Sequence, residues 1–231
     1  MGRGMLITFE GLDCSGKTTQ AKLLVERLER ERQSQKETFA VIFLREPGAT
    51  KLSERIRTML LDTRNDRMSH VTELFLFSAA RAQLVSEVIK PALQKGDVVV
   101  CDRFYDSTTA YQGWGRGIDL DGVRKLNAIA TSGLAPDLTF YLDIDAQEVK
   151  RRKSLKRNEG QGESDEDRME SSGEEFYNRV RKGYLELSRT EAPRFVVLDG
   201  KEPIGILKEK IWSVVRKRLR VLNNKNTGGS Q

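Results

Sequence analysis

The chain has 231 residues, enough for one α/β domain with a full core and too few for two ordinary domains joined by linkers. Its 40 lysines and arginines against 34 aspartates and glutamates leave a formal charge of +6, which suits anionic ligands but falls short of a dedicated nucleic-acid binder. One histidine, His70, and two cysteines, Cys14 and Cys101, exclude a disulfide framework, a zinc cluster and most histidine catalysis, so any chemistry must run on Lys, Arg, Asp and bound Mg²⁺.

No apolar run approaches the ~20 residues of a membrane span. The opening MGRGMLITFEG lacks the apolar stretch of a secretory signal. The expectation is a cytoplasmic protein with small-molecule partners and neither nucleic acid nor membrane among them.

In chain order, the first apolar run, Met5–Glu10, predicts a strand, and a helical pattern follows over Lys17–Arg32. Phe39–Leu44 is the second strand, and a helix over Lys51–Leu61 comes next. A long helical pattern, Val71–Gln94, contains Pro91, which should bend or restart it, and Gly96-Asp97 turns into a third strand, Val98–Asp102. A helix over Asp121–Ser132 and a strand over Leu138–Asp143 follow. The segment Lys150–Glu175 is dense in both charge signs and poor in apolar anchors, as a mobile surface segment would be. The last strand, Phe195–Leu198, precedes an amphipathic helix, Ile204–Leu222, with the stripe Ile204, Leu207, Ile211, Val214 and Val215, and the apolar-free tail from Asn223 should fray. Short β-branched runs alternating with helices predict a parallel sheet of five strands with helices on both faces, in one domain over residues 1–222.

Gly11-Leu12-Asp13-Cys14-Ser15-Gly16-Lys17-Thr18, with Thr19 after it, matches G-x-x-x-x-G-K-[ST] between an apolar strand and a helical pattern, the context that a phosphate-binding loop requires. The glycines let backbone N–H groups turn toward a β-phosphate, the helix N-terminus adds positive potential, and Lys17 bridges the β- and γ-phosphates. The Thr18 hydroxyl is placed for Mg²⁺. Alkylation of Cys14, inside this loop, should obstruct phosphate binding.

Asp102 ends an apolar strand beside this loop, where it can hold Mg²⁺ through water, and the Arg103 guanidinium faces the transferring phosphates. A purely structural ion pair is the other reading. Phe77 and Arg81 stand four apart, on one helical face, so a ring can stack on a base while the guanidinium meets its carbonyl edge; the plainer reading makes Phe77 a core residue beside Leu74, Phe75 and Leu76.

The stretches FEGLDCSGKTTQ, REPGATKLSERIR, LFLFSAARAQ, VVVCDRFYDSTTAYQG and DRMESSGEEFYNRVRKGYLEL, in this order and across nearly the whole chain, resemble thymidylate kinase. The resemblance implies a P-loop NTPase fold with a mobile lid, a homodimer, and transfer of the γ-phosphoryl group of ATP to dTMP with Mg²⁺ as cofactor. It also implies that Arg103 and Arg45 contact the acceptor phosphate, and that Phe77, Arg81, Ser107 and Gln112 meet the base. Tyr111 would crowd the 2′ position of the sugar. Asp13 would accept from its 3′-hydroxyl or, alternatively, cap the loop.

Some members of that family carry an arginine at the P-loop position of Cys14, and others supply one from the lid; this chain resembles the second kind. Lys150–Glu175 would then be the lid, with Arg157 the catalytic arginine, Arg168 a stabiliser of the closed form, and Arg151, Arg152 and Lys153 as alternatives. Another nucleoside monophosphate kinase, a deoxynucleoside kinase, or a P-loop ATPase or switch are the rival readings, and dTMP is not separated from dUMP.

Overall fold

The computed structural model describes residues 4–158 and 173–227. Its elements run β1 (Met5–Gly11), α1 (Lys17–Gln35), β2 (Val41–Arg45), α2 (Lys51–Leu61), α3 (His70–Leu84), α4 (Lys90–Lys95), β3 (Val98–Asp102), α5 (Tyr105–Thr108), α6 (Leu120–Thr131), β4 (Leu138–Asp143), α7 (Ala146–Asn158), α8 (Glu174–Thr190), β5 (Phe195–Asp199) and α9 (Ile204–Thr227). The five strands form one parallel sheet in the order β2-β3-β1-β4-β5. The expected sheet with helices on both faces is therefore the one observed, and its central strands are buried along their whole length, as cover on both faces demands.

Two apolar layers enclose the sheet. On one face Met5, Ile7 and Phe9 of β1 pack with Leu24 and Leu28 of α1 and Leu207, Ile211 and Val215 of α9. Leu6, Val99 and Cys101 lie in the other layer with Leu84, Val85, Ile89 and Leu93. A third cluster joins Tyr141 to Phe176, Tyr177, Val180 and Tyr184, which seats α8 over β4.

Pro91 does restart its helix. Val85–Ile89 is a π-helical turn and α4 begins at Lys90, because proline has no N–H to give and crowds the carbonyl one turn back. A second π-helical stretch, Thr109–Gly115, packs on α8, where a Cβ at Gly183 would lie 2.6 Å from the Trp114 ring.

The segment read as lid is helical at both ends. Lys150–Asn158 continues α7, and Glu174 and Glu175 open α8, while residues 159–172 lie outside the described residues. Helix α7 has no apolar stripe to betray it; Glu148 paired with Arg151 and Arg152, three and four residues on, supplies support that periodicity does not register. Helix α9 extends to Thr227, beyond the point where the sequence reading placed a tail, and Ile204 at its start is exposed rather than part of the buried stripe.

Candidate active site

The loop after β1 is shaped by contact. Gly11 has φ +143°, and a Cβ there would lie 2.5 Å from the Leu142 carbonyl oxygen of the neighbouring strand. Gly16 is the left-handed N-cap of α1, Leu12 is buried, and Thr19 is exposed on α1's first turn. Lys17 Nζ donates to the Leu12 carbonyl at 2.7 Å and is buried. Burial, and then the Arg103 charge, push its pKa down to about 8 against the opposing pull of Asp13, Asp102 and Glu10. The buried Ser15 hydroxyl has no hydrogen-bond partner among the described residues.

Thr18 Oγ1 donates to Asp102 Oδ2, so the hydroxyl and the carboxylate expected at Mg²⁺ stand side by side where α1 meets the end of β3. Among the described residues no cluster of three or more His, Cys, Asp or Glu could hold a metal. One hydroxyl and one carboxylate fit a Mg²⁺ ion whose other ligands are phosphate oxygens and water.

Arg103 follows β3 with φ +69°, pinned by its N–H on the Phe9 carbonyl at 2.9 Å. Its Nη1 donates to the Gly11 carbonyl at 3.1 Å and to Ser107 Oγ at 3.0 Å; its Nη2 donates to Asp13 Oδ1 at 2.5 Å and Tyr111 Oη at 3.2 Å. Burial pushes the Asp13 carboxyl up, but Arg103, Lys17 and Lys153, with a Tyr177 hydroxyl donating at 3.1 Å, more than offset it and hold the pKa below its ordinary value. Behind Arg103 the buried Glu10 accepts from Phe104 N at 2.7 Å, Ser107 Oγ at 2.6 Å and Tyr184 Oη at 2.9 Å. Burial, and then Asp106, push Glu10 up to about 7.

On the far side, the buried Arg81 donates Nε to Glu46 Oε2 at 2.8 Å and Nη1 to Asn127 Oδ1 at 3.2 Å. Gln112 Nε2 donates to Glu73 Oε1 at 2.9 Å, and Tyr111 is buried edge-on to Phe176. Phe77 does both things weighed for it: it is half-buried against the core and it lines the cavity. Arg45 is exposed and paired with Glu54 at 3.3 Å.

These groups meet in a cavity of about 300 Å³. Asp13, Cys14, Lys17 and Thr18 line one side, Arg45, Phe77, Arg81 and Gln112 the other, and Asp102, Arg103, Ser107 and Tyr111 join them. Arg157 is not brought in: it is exposed in the last turn of α7 and absent from the lining. Arg152 is the arginine of α7 that touches the loop, donating to the Cys14 carbonyl at 3.1 Å and the Gly200 carbonyl at 2.8 Å. Lys153 Nζ lies 3.5 Å from Tyr177 Oη, and Arg168 falls outside the described residues.

The family model "Thymidylate kinase" matches residues 9–211. A thymidylate kinase of Chlorobium phaeobacteroides is 49% identical over 224 residues, covering 95% of this chain and 99% of its own, and one from Pelodictyon phaeoclathratiforme is 47% identical over 219 residues, covering 93% and 96%. The crystal structure of thymidylate kinase from Ehrlichia chaffeensis superimposes with a TM-score of 0.71 at 33% identity, over 93% of this chain and 99% of that one. The chain belongs to the thymidylate kinase family.

Within that family assignment, sequence reasoning overlooked Glu10, Glu73, Tyr177 and Tyr184. Glu10 stood in view in the strand run LITFEG as the lone acidic residue at a position where doubly covered strands are apolar. The tyrosines carried the helical spacing of α8, with Phe176, Tyr177, Val180, Tyr184 and Leu187 buried, which the surrounding charge concealed.

Proposed function

We propose that the chain transfers the γ-phosphoryl group of ATP to dTMP, giving dTDP and ADP. The observation that carries this reading is a cavity whose one side is the P-loop and whose other side offers a stacking ring, a guanidinium and an amide to an acceptor base. An oxygen of the dTMP phosphate attacks the γ-phosphorus, a new P–O bond forms, and the bond from the γ-phosphorus to the β–γ bridging oxygen breaks, leaving ADP. Lys17 and Arg103 stand on the path of that transfer and offset the charge of two polyanions brought together, a repulsion worth kilocalories per charge pair in a dry site. Asp13 receives the 3′-hydroxyl, Tyr111 favours deoxyribose, and Arg45 and Arg103 hold the acceptor phosphate.

Thr18 and Asp102 would hold Mg²⁺, directly or through water. When bound there, the ion would neutralise phosphate charge and orient the β- and γ-oxygens. Segment 150–175 acts as the lid and Arg157 as the arginine it delivers, supported by Cys14 leaving the P-loop without one. A second copy of the chain covers the neighbouring α2, α3 and α6, where Met59, Val71, Phe75 and Ile129 are exposed. Among the described residues no helix is long and apolar enough to cross a membrane, and a cytoplasmic site of action follows from a substrate drawn from the nucleotide pool.

The test is ADP release with Mg²⁺ and ATP across dTMP, dUMP, AMP and thymidine. dTMP is expected to be the preferred acceptor. ATP hydrolysis without an acceptor, or preference for AMP or thymidine, would reject the reading.

A further inference from the structure

Gln112 reaches the cavity with its amide already oriented. Its Nε2 lies 2.9 Å from Glu73 Oε1, and Glu73 is wholly buried at the start of α3. An ionised carboxylate can only accept, so the amide nitrogen must face Glu73. Arg116 pairs with the same carboxylate at 3.2 Å and 3.3 Å and stacks 4.5 Å from the centre of the Phe176 ring, which supplies the compensating charge. The Gln112 carbonyl oxygen has no partner among the described residues and is the half of the amide left to the cavity.

We propose that Glu73 is a positioning residue that fixes the Gln112 amide, so that the pocket accepts a pyrimidine bearing a ring N–H and rejects one bearing a ring nitrogen acceptor. Arg81 offers donors to the same cavity, held by Glu46 and Asn127. A donor beside an acceptor complements the O4 and N3–H edge of thymine and opposes the N4–H and N3 edge of cytosine. Turning the amide over would set the Gln112 carbonyl against the Glu73 carboxylate in a buried place, so the pocket cannot adapt to cytosine. This inference rests on the reading of the cavity as the dTMP site.

In E73Q the introduced amide pairs with Gln112 in either orientation, and the constraint disappears. The measurement is kcat/KM for dTMP against 5-methyl-dCMP, which keeps the methyl group and changes only the hydrogen-bonding edge. In E73Q the preference for dTMP should contract by about tenfold or more, through a higher KM for dTMP, with kcat nearly kept. In a Q112A background the same substitution should add no further loss of preference. A purely structural Glu73 would instead lower both substrates equally and leave the ratio unchanged, which overturns the proposal. Should E73Q fail to fold, nitrogen-15 NMR of the unaltered protein decides: Gln112 amide protons held by Glu73 exchange slowly, and fast exchange overturns it. An enzyme that phosphorylates dTMP while E73Q keeps full discrimination loses only the role of Glu73, whereas no dTMP phosphorylation at all rejects the functional reading as well.

Discussion

Arg103 Nη2 and Asp13 Oδ1 lie 2.5 Å apart, joining the residue after β3 to the middle of the P-loop across 90 positions of sequence. The pair orients a guanidinium whose other nitrogen spans Gly11 and Ser107, so the planar fork is locked before substrate arrives. Arg103→Lys keeps the charge and loses the fork. Turnover of dTMP should fall on the order of a hundredfold or more while the fold persists, as steady-state kinetics beside a thermal melt would register. Wild-type turnover in that variant would remove Arg103 from the transfer.

Lys17 has its pKa pushed down to about 8 by burial and by Arg103, so the free enzyme loses this cation as pH rises through that value. Expected is a kcat/KM for ATP that declines above about pH 8, with kcat declining only at higher pH because bound phosphates favour the charged amine. The unfolded lysine titrates near its ordinary value of 10.5, so between about 8 and 10.5 the unfolded state holds the extra proton and Lys17's contribution to stability rises with pH. Identical limbs for kcat and kcat/KM would contradict the assignment.

Arg152 and Arg157 of α7 should separate cleanly. Arg152 braces the Cys14 and Gly200 carbonyls, and Arg152→Ala is expected to raise KM for ATP and lower the melting temperature. Arg157→Ala should leave stability and dTMP affinity close to wild type and cut kcat by about 10³, the scale of a delivered arginine. Unchanged kcat in the second variant would return the catalytic role to its neighbours.

Glu10, raised to about 7, keeps its proton in the native state at pH values where the unfolded chain has already released it. Stability contributed by this group is therefore present in full below about pH 4.5 and declines as pH climbs to about 7. Glu10→Gln should flatten that slope and, by leaving the Ser107 or Tyr184 hydroxyl without its acceptor, cost about 1–3 kcal/mol near neutral pH. Urea titrations at a series of pH values distinguish the two effects.

How far the molecule can be read before folding depends on how local each cause is. β3 and β4 fall where Val98–Asp102 and Leu138–Asp143 predict them, because buried parallel strands are short, apolar and bounded by turns. The P-loop is legible for the same reason: its glycines, Lys17 and Thr18 act within a few positions. Helix α7 was not, since ion pairs rather than an apolar stripe sustain it. Glu10 and Tyr184 were not, because their partnership crosses 174 positions and only the sheet and α8 bring them together. Arg157 marks the opposite limit, a residue suggested by resemblance that is not among the residues lining the cavity.

Gly183 has a meaning beyond its own turn of helix. With hydrogen as its side chain, α8 lies against the indole of Trp114, and the neighbouring Tyr184, together with Tyr177 two turns before it, is thereby set within bonding reach of Glu10, Ser107 and Asp13. One added methyl would act as a shim, lifting both phenols from the polyanion-binding floor without touching any group that handles phosphate. The spacing of this enzyme's machinery is thus calibrated by an atom it does not possess.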